Sequence, residues 1–209
     1  MDKTFIFDLD GTLITLPIDY DELREEMKKF FNVDYDFFRI IQTAVSLSKD
    51  NKNTLEEAFE IICEKENNAI KGIKINDHAK DVLQLVKSKG YNMALVTLQC
   101  RKAAEKILDI MEVKDLFSHI ITRDESHDRY EQIMKTINFM NISEENTTMI
   151  GDRLNDVECS LRAGCKSVLI GKKYEIKNER VVCFNKLDEL LKADIEKLHN
   201  KWIKVTCKN

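Results

Sequence analysis

The stretch Phe5–Leu13, FIFDLDGTL, decides the fold because a strongly apolar run ends in two carboxylates followed by Gly-Thr. Residues 4–9 have the length and continuous apolar character of a strand that is covered on both faces. Side chains alternate along a strand, so Asp8 and Asp10 are expected to point in roughly the same direction. Two like charges about 6 Å apart repel by roughly 2–3 kcal/mol at an effective dielectric near 20. The pair therefore indicates that a positive group lies between these carboxylates.

The rest of the chain divides into one helical block and one alternating block. From residue 19 to about 71, apolar residues recur only at helical spacing. From about residue 77, helical segments alternate with short apolar strands, which is the order of βαβ units around a parallel sheet. We therefore predict an α/β core at residues 1–14 and 77–209. An all-helical subdomain at residues 15–76 is inserted after the first strand.

Composition limits the partners that the protein can have. The chain has 33 basic and 37 acidic residues mixed along its 209 positions, so it offers no basic surface for nucleic acid. No apolar run is long enough to span a bilayer, and no signal segment opens the chain, so no membrane partner is expected. The six cysteines form no C-x-x-C pair. We therefore expect free thiols and a cytoplasmic location.

Polar residues follow the predicted strands at the edge where parallel sheets bind ligands. Asp8 and Asp10 end the first strand, Thr97 ends the second, and Asp152 ends the fourth. Asp156 follows Asp152 by four residues, on the same side of the helix start. Four carboxylates would then face one cleft, where Mg²⁺ and a substrate phosphate would offset their charge. Taken alone, Asp152 and Asp156 would also suit a helix N-cap and a first-turn acid.

These residues carry a resemblance to a known family. Asp8-Leu9-Asp10-Gly11-Thr12, Thr97 after its strand, and Gly151-Asp152-(x)3-Asp156 resemble motifs one, two and four of the haloacid dehalogenase superfamily of phosphohydrolases. The order and spacing fit over nearly the whole chain. The helical insertion resembles the C1-type cap of phosphoglycolate phosphatase-like members. The resemblance implies a Rossmann-like three-layer core with a helical cap, and an Mg²⁺-dependent phosphatase acting on a small phosphorylated metabolite.

The resemblance also implies catalytic and metal-binding roles. Asp8 would be the nucleophile that attacks phosphorus and forms an aspartyl-phosphate. Asp10 would be the general acid for the leaving oxygen and then the general base for water. Mg²⁺ would be held by Asp8, by the backbone carbonyl of Asp10 and by Asp152, with Asp156 in support.

For phosphate binding, the resemblance implies the turns at Gly11 and Thr97. Gly11 would allow the turn after the first strand, and Thr97 would donate its hydroxyl to a phosphate oxygen. The family pattern continues with Asn, whereas Leu98 and Gln99 follow Thr97 here. The main-chain N–H groups at Leu98 would therefore serve the phosphate in place of an amide side chain.

The third motif departs from the family pattern. Phosphoglycolate phosphatase-like members have a lysine in a K-P-x-P context, whereas residues 121–137 read ITRDESHDRYEQIMKTI. The chemistry needs a permanent cation near the nucleophile, and arginine can contact a phosphate through two donors. We predict that Arg129, where the helix begins, supplies this cation. Arg123, His127 and Lys135 are the competitors.

Two other functions stay open at this point. One is a phosphomutase of the β-phosphoglucomutase kind, and the other is a catalytically weak binding module with the same fold. The sequence does not name the phosphate ester, and it leaves open whether the protein is a monomer or a homodimer.

Overall fold

The computed structural model describes residues 3–171, 176–195 and 198. Its main sheet has six parallel strands in the order β5-β4-β1-β6-β7-β8. The strands of this sheet are β1 (Thr4–Phe7), β4 (Asn92–Val96), β5 (His119–Ile121), β6 (Thr147–Gly151), β7 (Lys166–Ile170) and β8 (Val181–Phe184). From β1 near the centre of the sheet, the chain first adds β4 and β5 on one side. It then returns to the other side of β1 and adds β6, β7 and β8.

The helices of the core cover both faces of the sheet. They are α4 (Ala79–Ser88), α5 (Arg101–Met111), α6 (Arg129–Met140) and α7 (Leu154–Arg162). Phe5 and Phe7 of β1 pack in one apolar cluster with α4 and α5, while Ile6 packs in another with α6. Because the central strand is buried on both faces, its sequence is continuously apolar and does not alternate. The α/β fold with its parallel sheet and three layers is confirmed.

The helical segment lies between two short antiparallel strands, β2 (Ile14–Thr15) and β3 (Lys74–Ile75). Its helices are α1 (Tyr20–Phe31), α2 (Ile40–Ser48) and α3 (Lys52–Ala69). These helices bury a small core of their own, which contains Leu23, Met27, Phe37, Ala44, Ala58 and Ile62. We refer to residues 15–76 as the cap. The paired strands hold its two ends together where the chain leaves and re-enters the core.

The expectation of free thiols is wrong for Cys63 and Cys100, among others. Cys63 on α3 and Cys100 at the start of α5 form a disulfide that joins the cap to the core. The two residues lie 37 positions apart, and only the docking of α3 on the core brings them together. Cys159 and Cys165 are free. Among the helices that the structure describes, none is long and apolar enough to cross a membrane.

Candidate active site

Three neighbouring strands deliver the polar residues to one edge of the sheet. β1 lies between β4 and β6, so Asp8, Thr97 and Asp152 follow adjacent strands at their carboxyl ends. The backbone N–H of Asp8 donates to the carbonyl of Ile150 at 2.9 Å, which continues the strand pairing up to the site. The sheet therefore fixes the backbone of Asp8.

Asp8, Asp152 and Asp156 form a compact carboxylate cluster. Each offers one carboxylate oxygen, and the three oxygens lie within 4.8 Å of one another. Asp8 and Asp156 are buried, and Asp152 is partly buried. The Asp156 carboxylate also accepts from the backbone N–H of Arg153 at 3.1 Å, which fixes it in the first turn of α7. The cluster brings together three of the four predicted carboxylates from two distant parts of the chain.

Two glycines make room for these carboxylates. A Cβ on Gly11 would lie 2.5 Å from the Asp152 carboxylate, and the φ of Gly11 is +91°. A Cβ on Gly151 would collide in the same way with the Asp156 carboxylate. Gly11 therefore serves both the turn that the sequence predicted and the close approach of Asp152 to the first strand.

Arg129 is the buried cation of the cluster. Its Nη2 donates to Asp8 Oδ1 at 2.6 Å, and its Nε lies 3.0 Å from Asp156 Oδ1. Its Nη1 donates to the carbonyl of Val96 at 2.7 Å and to the side chain of Gln132 at 3.1 Å. The guanidinium is therefore buried and held in one orientation by both the core and the carboxylates.

The other three candidate cations lie elsewhere. Arg123 pairs with Glu66 of α3 at 2.7 Å, and both side chains are buried. Lys135 Nζ donates to the carbonyl of Glu125. The ring of His127 lies against that of Phe59, with the centroids 6.2 Å apart. Of these four candidates, Arg129 is the one whose ion pairs reach the cluster.

The electrostatics of the cluster favour a bound cation. Burial raises the pKa of Asp8 to about 7, and the charges of Asp156 and Asp152 act in the same direction, while Arg129 opposes them. A hard divalent ion with oxygen ligands would reverse this effect, because it favours the ionised carboxylates. The three clustered carboxylates therefore suit such an ion in number, in chemistry and in spacing.

Asp10 lies beside the cluster and not within it. Its Oδ1 accepts from the backbone N–H of Leu16 at 2.9 Å, and its Oδ2 accepts from the hydroxyl of Tyr20 at 3.4 Å. Burial raises the pKa of Asp10, and the hydrogen bond from Leu16 partly opposes this shift. Both partners belong to the start of the cap. The second carboxylate of the motif is therefore directed toward the cap, and burial holds its pKa above the ordinary value.

Hydrogen bonds hold the turn at residues 97–99, which follows β4 and which we call the Thr97 turn. The hydroxyl oxygen of Thr97 accepts from the backbone N–H of Gln99 at 3.2 Å, and its carbonyl accepts from the Gln132 amide at 2.7 Å. The carbonyl of Leu98 accepts from Arg123. The sequence analysis did not name Gln132 as a site residue, although its position three residues after Arg129 places both on one helix face.

A cavity of about 450 Å³ lies between the core and the cap. The clustered residues Asp8, Asp156 and Arg129 line it together with Asp10 and Thr97. From the cap, its wall is mainly apolar and includes Ile18, Leu23, Phe38, Ile40, Ile41 and Ile62. Tyr20 and Glu66 also line the cavity and were not predicted as site residues. The arrangement can enclose a small molecule with one anionic end on the core carboxylates and Arg129.

The parallel sheet with a charged site at the carboxyl ends of its strands defines a Rossmann-like α/β protein with a candidate ligand-binding site. Residues 5–170 match the family model described as haloacid dehalogenase-like hydrolase, so the chain belongs to that family.

The chain is also similar to named relatives in sequence and to a solved structure in fold. The chain is 25% identical over 193 residues to a phosphoglycolate phosphatase of Aquifex aeolicus, with 87% of this chain and 91% of the relative covered. It is 25% identical over 180 residues to the pyrophosphatase PpaX of Bacillus mycoides, with 80% and 83% covered. A hydrolase from Pseudomonas syringae has a similar fold, with a TM-score of 0.73, 18% identity, and coverage of 94% of this chain and 99% of that one.

Proposed function

We propose that the protein is an Mg²⁺-dependent phosphatase that hydrolyses a small phosphorylated metabolite through an aspartyl-phosphate on Asp8. The observation that carries the proposal is the ion pair of Arg129 with both Asp8 and Asp156 at the base of the cavity. It places a permanent positive charge next to a carboxylate that can act as a nucleophile. Names of the relatives, phosphoglycolate phosphatase and pyrophosphatase, support phosphate chemistry.

In the first half of the reaction, a carboxylate oxygen of Asp8 attacks phosphorus while the bond from phosphorus to the leaving oxygen breaks. Asp10 gives its proton to that leaving oxygen, a role that its raised pKa supports. Arg129 fixes the Asp8 carboxylate and offsets charge on the phosphoryl oxygens. Mg²⁺, when bound by Asp8, Asp152, Asp156 and the carbonyl of Asp10, supplies positive charge that lets two anions approach.

In the second half, water attacks the phosphorus of the aspartyl-phosphate. Asp10, now ionised, takes a proton from that water, and inorganic phosphate leaves as the Asp8 carboxylate is restored. The cavity lies under the cap, where the apolar wall limits the access of bulk water. Thr97 and the main-chain N–H groups at Gly11 and Leu98 are proposed to bind the phosphoryl oxygens.

Three further properties are part of the same proposal. The substrate is a small phosphate ester, because the cavity holds about 450 Å³. The core comprises residues 1–14 and 77–209, of which residues 1–2, 172–175, 196–197 and 199–209 lie outside the described residues. A cytoplasmic location and a monomeric or homodimeric state remain predictions from the sequence.

A turnover assay with p-nitrophenyl phosphate, with and without Mg²⁺, tests the proposal. We expect hydrolysis that requires Mg²⁺ and is abolished in Asp8→Asn, whose neutral amide is no nucleophile. Beryllofluoride bound to Asp8 in a crystal would identify the phosphorylated atom. Turnover without Mg²⁺, or full activity in Asp8→Asn, would overturn the proposal.

Assays with other phosphate esters, together with ligand binding, separate the two alternatives. A phosphomutase would return the phosphoryl group to a sugar phosphate faster than to water, which a panel of phosphorylated sugars would reveal. A weak binding module would hydrolyse no phosphate ester, while Asp8→Asn would leave ligand binding intact.

A further inference from the structure

Arg153 is a cation of the cavity that the proposed reaction does not use. It follows Asp152 directly and lines the cavity with Asp8 and Asp10. Its Nε lies 3.9 Å from Asp152 Oδ1, which makes this ion pair much looser than those of Arg129. The side chain is 55% exposed, in contrast to the buried Arg129. The guanidinium therefore has donors left for a ligand.

A bound metal ion would reduce the negative charge that offsets the positive charge of Arg153. The Asp8 and Asp152 carboxylates, whose charges act on Arg153, are the same groups proposed to hold the cation. Their negative charge would then be offset by the ion, and Arg129 already pairs with Asp8 and Asp156. In the loaded site, the positive charge of Arg153 would thus face the cavity without a committed partner.

The cap contributes a second such cation. Arg39, just before α2, lines the cavity and has no ion pair among the residues that the structure describes. Arg24 also lines it, but its guanidinium is held by Asp21 at 2.7 Å. Glu66, the acidic residue on the cap side, is held by Arg123. Beyond the phosphoryl end, the cavity therefore offers positive charge and apolar surface.

We propose that Arg153, together with Arg39, binds a second anionic group, a carboxylate or a phosphate, on the leaving group of the substrate. This assignment rests on the proposed function, because it takes the carboxylate cluster as the end that binds the reacting phosphoryl group. Arg153 is then a specificity-determining residue. The planar guanidinium group of Arg153 can donate two parallel hydrogen bonds to either anion, because carboxylates and phosphates both present paired oxygens.

Binding of phosphonates in the presence of Mg²⁺ tests this subsite without requiring turnover. The probes are phosphonoacetate, methylenediphosphonate and the uncharged-tail analogue propylphosphonate, measured by calorimetry. We expect wild type to bind one of the first two at least tenfold more tightly than propylphosphonate. Arg153→Gln should reduce this preference about tenfold, Arg39→Gln should reduce it less, and Arg153→Lys should restore part of it. Arg24→Gln, the matched control, should change the preference less than twofold.

Each result has a defined meaning. The probe that binds more tightly identifies the second group: phosphonoacetate indicates a carboxylate, and methylenediphosphonate indicates a phosphate. Equal binding of all three probes, no binding of any, or an equal loss for all three in a folded Arg153→Gln would overturn the subsite. A preference for a doubly anionic phosphonate that depends on Arg153, found without hydrolysis of the phosphate that this phosphonate resembles, would instead support the subsite and refute the phosphatase activity.

Discussion

Arg129 and Asp8 form a buried ion pair of 2.6 Å at the base of the cavity, and the same guanidinium lies 3.0 Å from Asp156. One side chain thus joins carboxylates that follow two different strands. The pair also sets the orientation of the proposed nucleophile, because Arg129 is itself fixed by the Val96 carbonyl.

Arg129→Ala should destabilise the metal-free protein by about 3–5 kcal/mol, because it leaves two buried carboxylates without their cation. Mg²⁺ should restore part of the loss, since it would bind the same carboxylates. Urea unfolding with and without Mg²⁺ measures both effects. Arg162→Ala is the control, because Arg162 stacks on Tyr130 and should cost about 1 kcal/mol or less. A loss below 1 kcal/mol in Arg129→Ala would contradict the pairing.

Asp10→Asn should lower kcat by roughly 10²–10⁴-fold for alkyl phosphates, through the loss of acid and base catalysis. With p-nitrophenyl phosphate as the substrate, the loss in the rate of aspartyl-phosphate formation should be smaller, because p-nitrophenolate leaves without a proton. Single-turnover kinetics on both kinds of ester give the comparison. Equal rates for Asp10→Asn and wild type on an alkyl phosphate would show that another group transfers the proton.

Gly11→Ala should weaken Mg²⁺ binding at least tenfold, because the new Cβ would lie 2.5 Å from the Asp152 carboxylate and displace it. Gly90→Ala is a matched control: Gly90 also has a positive φ, +77°, but nothing lies within 4 Å of its added Cβ. The control should cost about 1 kcal/mol of stability and leave Mg²⁺ affinity unchanged. Calorimetric titration with Mg²⁺ decides; equal affinities in the two variants would refute the steric argument.

Glu66→Gln should destabilise the protein by about 3–5 kcal/mol, because Arg123 would stay buried without its counter-charge. Glu66 also accepts from the backbone N–H of Cys100 at 2.9 Å, so the variant loosens the cap at the Thr97 turn. Glu56→Gln breaks the exposed Lys52–Glu56 pair and should cost less than about 0.5 kcal/mol. Similar losses in both variants, measured by denaturant unfolding, would argue against a stabilising role of the buried pair.

Asp8 should make the metal-free protein less stable at neutral pH than in acid. Its pKa is about 7 in the folded protein against an ordinary value of 3.8, so its favourable contribution is complete below about pH 3.8 and lost as pH rises through 7. The unfolding free energy of wild type relative to the non-titrating Asp8→Asn should therefore fall by about 2 kcal/mol or more between pH 4 and pH 8. Saturating Mg²⁺ should reduce this fall; a pH-independent difference would contradict the raised pKa.

The sequence by itself determined the architecture and the edge of the sheet at which the candidate site lies. Alternating strands and helices predicted the parallel sheet, and the polar residues after β1, β4 and β6 predicted the edge of the site, because strand ends are local features of the pattern. Asp8, Asp10, Asp152 and Thr97 could be named for this reason.

Only the tertiary structure decided how the remaining groups pair. Arg123, His127, Arg129 and Lys135 lie within thirteen residues, and the sequence favoured Arg129 only from its place at the helix start, without a contact to Asp8. The packing of α6 against β4 places Arg129 there, while the docking of α3 on the core gives Arg123 to Glu66 and joins Cys63 to Cys100. These contacts connect residues distant along the chain, and their partners follow from how helices pack, which no local pattern encodes.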